Sequence, residues 1–406
     1  MKTKYDVIVI GAGLIGMLFA RTIAALGIKV AIIDKKSPKE IIHSADNGKN
    51  IALSFSSIQF LNFLKIWRSL NKFSQPIVDI SVLEKQSSVL LDFTSSDFHD
   101  HPFGYMVENF NLNRIIFDDV KKNKKIDLLL NNELQEITLG DSPCVQLSSG
   151  KELYSSIVVA ADGKNSRARK LANIKVRNFD YKQIAIVSNI LHTKPHNGLA
   201  IEKFFPSGPL AVLPLRSKGK KFYSSIVWVE KIESKNFFQN LSNDSFDKFL
   251  QKKIGSQFGI ITSCGSRFLY PLKLSVADRY VLSKLVLIGD AAHTIHPIAG
   301  QGLNLGLRDV AALAETFADA LKLGLDIGND QMLRDYENSR NTDAQSMILF
   351  TDGMNRLFSN HSRILKSLRN FGLDLVDQSS ILKKFFVKRA VSVSENAPRL
   401  MKGEIL

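Results

Sequence analysis

The sequence predicts an α/β fold: a Rossmann-like nucleotide-binding domain, an inserted and mostly antiparallel β-sheet, and a C-terminal helical segment. Residues 5–34 read as strand, Gly-rich turn, helix and second strand, which together form a complete βαβ unit. Residues 183–270 change to alternating apolar and polar positions, which is typical of antiparallel strands. After residue 343, apolar residues recur at helical spacing.

The composition is that of a globular protein large enough for two domains. The chain has 406 residues and a net charge of +15, from 54 Lys and Arg against 39 Asp and Glu. Its basic runs are scattered, which favours solvated faces and leaves an anionic membrane surface as the alternative partner. No reader motif or basic helix accompanies the charge, so we expect no nucleic-acid binding.

Cysteine and histidine spacing predicts neither disulfides nor a metal site. Cys144 and Cys264 lie far apart in the chain, as in proteins of reducing compartments. No apolar run approaches the length of a membrane span, and the chain enters a strand almost at once, without a signal-like segment. We therefore expect a cytoplasmic protein that associates peripherally with the inner membrane.

The first strand runs into a GxGxxG turn made by Gly11, Gly13 and Gly16. In such a turn the first Gly permits the bend, the second lets the backbone approach a pyrophosphate, and the third lets the helix pack on the strand. Asp34 ends the second strand, 18 residues past Gly16, where an acid accepts hydrogen bonds from a ribose. The combination predicts a dinucleotide site.

A second Gly-rich segment, residues 289–304, follows an apolar strand at 285–288 and precedes an apolar helix at 303–323. The strand ends in Gly-Asp, which places the Asp290 carboxylate at the carboxyl edge of a sheet. The next turn delivers Gly302, Leu303 and Asn304 to a helix amino terminus, where free N–H groups and the helix dipole favour an anion. An electron-accepting ring that becomes anionic on reduction would suit this place.

A third strand, 157–161, ends in Asp162 and Gly163. This segment is either a strand-to-helix turn with an N-cap or a second approach to the same nucleotide.

Three motifs in this order resemble the class A FAD-dependent aromatic hydroxylases, the para-hydroxybenzoate hydroxylase-like enzymes, and in particular the ubiquinone-biosynthesis hydroxylases. The motifs are GxGxxG; DGxxSxxR at Asp162, Gly163, Ser166 and Arg169; and GDAAH followed by HPIAGQGLNLGL, at 289–293 and 296–307. The resemblance covers nearly the whole chain. It implies one bound FAD, and O₂-dependent hydroxylation of a phenol or quinone precursor that carries a polyprenyl tail.

The resemblance also implies roles for individual residues. The glycines of the first turn and Asp34 would hold the ADP half of FAD, Asp162 and Gly163 would lie by the pyrophosphate or the pyridine nucleotide, and Asp290 would bind the ribityl chain. Gly302, Leu303 and Asn304 would face the pyrimidine end of the ring. Lys49, where the family usually has Arg, and Arg114 complete the predicted cofactor site. Phe204, Leu213 and Pro297 are the predicted substrate-pocket residues.

The sequence is consistent with two sources of electrons and offers two candidate residues for proton transfer. A single GxGxxG and no CxxxxC pair argue against a disulfide-reductase arrangement, so we expect that NAD(P)H binds transiently or that a protein supplies the electrons. His293 and His296 are the candidate catalytic residues for proton relay, and a structural hydrogen-bonding role is their alternative. No Tyr is assigned as the activator of the phenol.

The predicted FAD-binding parts are 1–75, 106–180 and 273–345. The substrate sheet is predicted at 76–105 and 181–272, and the C-terminal helices at 346–406. Two alternatives to the hydroxylase are a related FAD oxidoreductase, such as a prenyl reductase, and a flavin-bearing scaffold of a membrane-associated complex containing other ubiquinone-biosynthesis proteins.

Overall fold

The computed structural model describes residues 3–43, 50–84, 88–98, 100–296, 300–358 and 396–406. The strands are β1 Thr3–Ile10, β2 Val30–Asp34, β3 Asn50–Ser54, β4 Ser74–Ile77, β5 Asp79–Glu84, β6 Ser88–Thr94, β7 Gly104–Glu108, β8 Ile126–Leu130, β9 Leu134–Thr138, β10 Cys144–Leu147, β11 Glu152–Ala160, β12 Val176–His192, β13 Leu199–Phe205, β14 Gly208–Lys218, β15 Lys221–Lys231, β16 Ile261–Ala277, β17 Val281–Leu282, β18 Leu285–Leu287 and β19 His293–Thr294. The α-helices are α1 Leu14–Ala24, α2 Pro38–His43, α3 Phe55–Phe63, α4 Trp67–Leu70, α5 Asn109–Lys122, α6 Arg167–Leu171, α7 Lys235–Asn240, α8 Asn243–Ile254, α9 Gln301–Lys322, α10 Asp330–Phe358 and α11 Arg399–Lys402.

The strands form three sheets. The nucleotide sheet has the order β17-β18-β11-β1-β2-β8, with β10 and β9 added beside β11. Its central pairs, β18–β11, β11–β1, β1–β2 and β2–β8, are all parallel. The large sheet has the order β19-β16-β12-β15-β14-β13-β5-β6 and is antiparallel except for the β13–β5 pair. A three-stranded sheet, β3-β7-β4, lies beside it. The predicted fold class is therefore confirmed.

The parallel strands are buried because α1 and α9 cover one face, and side chains from β9, β10, β16 and α6 join the apolar cluster on the other. Side chains such as Val7, Val9 and Ile32 pack with α1 and α9 on one face of the nucleotide sheet, while Ile8 and Ile33 pack on the other. Phe19 of α1 and Phe317 of α9 meet edge to face, with ring centroids 5.9 Å apart. Because α1 and α9 pack side by side on this face, their amino ends lie at the same edge of the nucleotide sheet.

Two elements differ from the sequence expectation. The sequence of residues 126–147 predicts strands of a small sheet, but β8 is a parallel strand of the nucleotide sheet, paired with β2 from Val30 to Asp34. The last long helix was expected after residue 343, whereas α10 begins at Asp330. In addition, β12 and β16 cross the expected domain boundaries at 180/181 and 272/273, because the two strands pair with each other from Val176 to His192.

Candidate cofactor and substrate site

Three acidic residues follow strands that end at the same edge of the nucleotide sheet. Ile10 of β1 is paired with Ile33 of β2 and Ala160 of β11, and Ala160 is paired with Leu287 of β18. Asp34 comes one residue after Ile33, Asp162 two after Ala160, and Asp290 three after Leu287. Because parallel strands present their carboxyl ends together, the three acids lie along one crevice, which is where open α/β sheets bind ligands.

The first turn is shaped by glycines with different surroundings. Gly11 has φ +107°, and a Cβ there would lie 2.5 Å from the Ala161 carbonyl oxygen. A Cβ on Gly16 would lie 2.0 Å from the carbonyl oxygen of Gly11, whereas one on Gly13 would meet nothing within 4 Å. Gly11 and Gly16 are thus required by packing, and the exposed Gly13 leaves open space before the amino end of α1.

Asp34 closes this turn. Its Oδ2 accepts a hydrogen bond from the Ala12 N–H at 2.7 Å, and its Oδ1 accepts one from the Lys36 N–H at 2.9 Å. The carboxylate is partly exposed at the end of β2. Its oxygens are thus hydrogen-bonded to the turn and keep further lone pairs available for ligand hydroxyls.

The Gly-Asp turn packs directly against the first turn of α1. A Cβ on Gly289 would lie 3.2 Å from the side chain of Ile15, and one on Gly306 of α9 would lie 2.7 Å from the Ile15 Cδ1. Ile15 therefore fills the space between the GxGxxG turn, the Gly-Asp turn and α9. Asp290, which follows Gly289, is exposed.

Arg169 links the second and third motifs. One of its terminal nitrogens donates to the Ala291 carbonyl oxygen at 2.6 Å, and the other donates to the Lys164 carbonyl oxygen at 2.8 Å. Asp162 instead serves its own turn, because its Oδ2 accepts from the N–H groups of Arg167 and Ala168 at the start of α6. Burial raises the pKa of the Asp162 carboxyl. Asp162 therefore caps the start of α6, as one interpretation predicts, and Arg169 links the same segment to the Gly-Asp turn.

The amino end of α9 is anchored by a side chain rather than left free. The Asn304 Oδ1 accepts hydrogen bonds from the Ser54 N–H at 3.0 Å and the Ser57 hydroxyl at 2.8 Å. Its Nδ2 donates to the Ala52 carbonyl oxygen at 2.9 Å. The predicted contact of Asn304 with a flavin therefore rests on its backbone alone, since its side chain joins α9 to β3 and α3. A Cβ on the neighbouring Gly302 would meet nothing within 4 Å.

His293 lies in a buried charged cluster. Its Nε2 is 2.7 Å from the Asp309 Oδ2, and the Asp309 Oδ1 accepts from the Arg340 Nε at 2.7 Å. The Oδ2 of Asp309 also accepts from the Gly289 N–H at 2.9 Å. Burial by itself would raise the pKa of Asp309, but His293 and Arg340 outweigh it and lower the pKa to about 2. This placement favours the structural alternative for His293.

His296 contacts two residues of β12 in the large sheet. Its Nε2 is 3.4 Å from the Gln183 Oε1, and its ring meets the Tyr181 ring edge to face, with centroids 4.8 Å apart. The Nδ1 has no hydrogen-bond partner among the described residues. Burial lowers the pKa of His296 to about 4, so the ring is neutral at pH 7. A catalytic role for His296 stays a prediction.

The remaining predicted residues fall in three places. Phe204 is buried and Leu213 partly buried in one apolar cluster, which also contains Ala52 beside the amino end of α9. Arg114 is exposed on α5, near the Phe110 ring. Lys49 and Pro297 lie outside the described residues. Their predicted cofactor and substrate contacts stay predictions.

The arrangement fits FAD. Two long helices, α1 and α9, direct their amino ends at one crevice, and the glycines at those ends, Gly13 and Gly302, leave room for a ligand. Carboxylates border the crevice at Asp34 and Asp290, where ribose and ribityl hydroxyls would donate. When bound, FAD would supply the electrons that activate O₂, and one atom of that O₂ is the oxygen transferred. The chain would supply position, a helix dipole that favours a reduced anionic ring, and apolar side chains that exclude water.

These features define a flavin-dependent aromatic-ring monooxygenase, and comparison with known proteins agrees. Residues 4–351 match the FAD binding domain family. The chain is 36% identical to the ubiquinone hydroxylase UbiL of Rhodospirillum rubrum, over 98% of this chain and 92% of that protein. It is 28% identical to the 3-demethoxyubiquinol 3-hydroxylase of Escherichia coli, over 96% and 98% of the two chains. The chain belongs to the FAD-binding-domain family of aromatic-ring hydroxylases that includes these enzymes.

The fold is shared with more distant enzymes. The p-nitrophenol 4-monooxygenase PnpA of Pseudomonas putida superposes with a TM-score of 0.77 at 17% identity, over 96% of this chain and 99% of that one. PqsL of Pseudomonas aeruginosa, described as a probable FAD-dependent monooxygenase, gives a TM-score of 0.77 at 18% identity, over 92% and 100%. Both therefore have the same architecture as this chain.

Sequence reasoning gave no role to Asp309, Arg340 or Ile15, and it named Arg169 only as part of a motif. Asp309 and Arg340 lie within helices whose apolar periodicity suggests packing alone. The one available signal was charge inside an apolar helix face, since Asp309 follows the stretch Leu303–Leu307. Their partners are distant in sequence, so spacing could not reveal them.

Proposed function

We propose that this protein hydroxylates the aromatic ring of a polyprenylated phenol or quinone precursor during ubiquinone biosynthesis. The reaction uses bound FAD, O₂ and electrons from NAD(P)H or from a protein reductant. The observation that carries the proposal is the apolar cluster containing Phe204 and Leu213, which adjoins the amino end of α9 through Ala52. A prenyl tail requires such an apolar surface, and the names of the 36% and 28% identical relatives support the same substrate class.

We further propose that the protein binds peripherally to the inner membrane, where its substrate resides, and meets other ubiquinone-biosynthesis proteins there. The net charge of +15 supports attraction to an anionic lipid surface. None of the helices in the described ranges has the length and apolar character needed to cross a membrane. Co-sedimentation with vesicles at low and high salt tests this step, because an electrostatic association weakens as salt screens it.

The central experiment is turnover by the purified flavoprotein. NADH or NADPH, ¹⁸O₂ and a short-chain prenylphenol are supplied, and mass spectrometry measures one incorporated ¹⁸O atom per product. Asp290→Ala is expected to strip the flavin, whereas Asp335→Ala, an exposed carboxylate on α10, is expected to retain it. Full flavin retention by Asp290→Ala would contradict the role assigned to that carboxylate.

Other outcomes separate the alternatives. Bound flavin without substrate-dependent turnover indicates the scaffold, and a change in tail saturation indicates a prenyl reductase. The quinone intermediate that accumulates in cells lacking this protein identifies the ring position it hydroxylates.

A further inference from the structure

A single carboxylate interrupts an apolar row that crosses the large sheet. Glu202 of β13 is paired with Ala211 of β14 on one side and Val82 of β5 on the other. Following the register outward gives a seven-residue row: Phe268, Val187, Val227, Ala211, Glu202, Val82 and Leu91. Paired residues of adjacent strands point to the same face, so the Glu202 side chain lies among apolar neighbours.

This face of the sheet is the one that carries the predicted substrate residues. Along β13, Ala200 and Phe204 share the face of Glu202, since side chains two apart lie on one side. Both belong to the apolar cluster that contains Leu213. Lys203 lies on the opposite face, where its Nζ is 5.9 Å from the centroid of the Phe205 ring. It therefore cannot neutralise Glu202.

The same face meets the cofactor side of the protein at two points on β12. The Asn189 side chain accepts a hydrogen bond from Asn50 of β3 at 2.7 Å. Gln183, six residues earlier on the strand, is 3.4 Å from His296. The face that bears Glu202 thus contacts β3 and His296, which lies six residues after Asp290 in the chain.

Burial raises the pKa of the Glu202 carboxyl to about 7, with no contribution from a charge or hydrogen bond in the described part of the chain. A carboxyl in this condition is about half ionised near neutral pH, and its oxygens are free to receive a donor from a ligand. Proton acceptors work best when their pKa lies near the working pH.

We propose that Glu202 receives the proton of the substrate's ring hydroxyl during hydroxylation, an inference that rests on the proposed function. The hydroxyl O–H bond breaks, its electron pair moves toward the ring, and the proton forms a new O–H bond on the Glu202 carboxylate. The ring becomes more electron-rich at the carbon that accepts the oxygen atom. The neutral carboxyl then returns the proton to the product oxygen or to solvent.

Other titratable groups on this face are few and differ in kind. Among the described residues they include Tyr223 of β15, with the Lys218 Nζ 5.9 Å from its ring centroid, Tyr270 and Cys264 of β16, and His101, which stacks on Phe55 of the apolar cluster. Glu84 of β5 is paired with Phe204 by register. Burial raises the pKa of Tyr270 and of Cys264, so both are neutral at pH 7.

The test compares Glu202→Gln with Glu136→Gln, the same substitution at an exposed strand position of β9. In the wild type, kcat/KM for a prenylphenol is expected to rise with pH through an inflection near 7. Glu202→Gln is expected to lose that inflection and to lower kcat at pH 8 by about 100-fold, with KM changed less than threefold. Glu202→Asp is expected to restore part of kcat, and Glu136→Gln to match the wild type.

An independent readout does not require turnover. A carboxyl whose folded pKa exceeds its unfolded pKa stabilises the protein below the unfolded value, and this stabilisation is lost as pH rises through the folded value. The melting temperature of Glu202→Gln minus that of the wild type is therefore expected to be higher at pH 8.5 than at pH 4.5. An equal difference at both pH values, or a pH inflection that persists in the variant, would overturn the assignment. If the wild type hydroxylates no phenol, the proposed function itself fails.

Discussion

The carboxylate of Asp309 accepts a hydrogen bond from the backbone N–H of Gly289, 20 residues earlier in the chain, at 2.9 Å. Gly289 begins the turn that carries Asp290. The same carboxylate is paired with His293 and with Arg340 of α10. A buried charge thus fixes the turn on which flavin binding is predicted to depend, and α10 is coupled to the site although it carries none of the three motifs.

Replacing Asp309 by Asn is expected to destabilise the protein by about 3–5 kcal/mol, because the buried Arg340 loses its buried partner and keeps only the partly exposed Asp343 as counter-charge. Urea unfolding of the apoprotein measures this, and FAD titration is expected to show weaker binding. Asp335→Asn, at an exposed site on the same helix as Arg340, serves as the control. A loss of stability that is no greater than in the control would exclude the structural role of the cluster.

The cluster of Asp309, His293 and Arg340 also predicts that the protein loses stability at low pH. The folded pKa of Asp309 is about 2, below its unfolded value near 4. Its contribution to stability is therefore complete above pH 4 and is lost as pH falls toward 2. The wild type is expected to lose more stability than Asp309→Asn over that interval, and thermal melts at pH 5, 4, 3 and 2 measure it. Parallel losses in both proteins would count against the low pKa.

His296 predicts a second pH effect, at higher pH. Burial lowers its folded pKa to about 4, so the unfolded chain takes up a proton first as pH falls below 6.5. The wild type is expected to lose about 3 kcal/mol between pH 6.5 and pH 4, and His296→Gln is expected to lose less. The unfolding free energy of each protein is measured at pH 7 and at pH 4.5. An equal loss in the two proteins would show that burial does not lower the pKa of His296.

Two glycine substitutions separate packing from ligand approach. Gly16→Ala is expected to destabilise the fold, because its Cβ would lie 2.0 Å from the Gly11 carbonyl oxygen. Gly13→Ala is expected to leave the melting temperature of the apoprotein within about 2 °C of wild type but to weaken FAD binding at least tenfold, since its Cβ would occupy ligand space. Normal FAD affinity in Gly13→Ala would show that the pyrophosphate does not approach there.

Arg169 provides a further comparison. Its two terminal nitrogens reach the carbonyl oxygens of Ala291 and Lys164, a geometry that a single ammonium cannot reproduce. Arg169→Lys is expected to cost about 1–3 kcal/mol of stability and to weaken FAD binding, whereas Arg167→Lys, at an exposed position in the same turn, should change neither. Chemical unfolding and flavin fluorescence titration measure the two effects.

The local chemistry of the chain determined the main units of this fold. Apolar β-branched runs followed by Gly and Asp predicted β1, β2, β11 and β18, because strand, turn and helix signals lie within a few residues of one another. The GxGxxG and Gly-Asp motifs also identified the class of cofactor, since the backbone freedom and the carboxylates needed to hold a dinucleotide belong to those residues themselves.

Tertiary structure decided which distant residues face one another. The place of β8 beside β2, the pairing of His293 with Asp309, and the apolar row around Glu202 all depend on strand register or helix packing across many residues. The sequence shows Glu202 only as one acid in an alternating strand. Its raised pKa arises from burial in the large sheet, where its partners on the two adjacent strands are the apolar residues Ala211 and Val82.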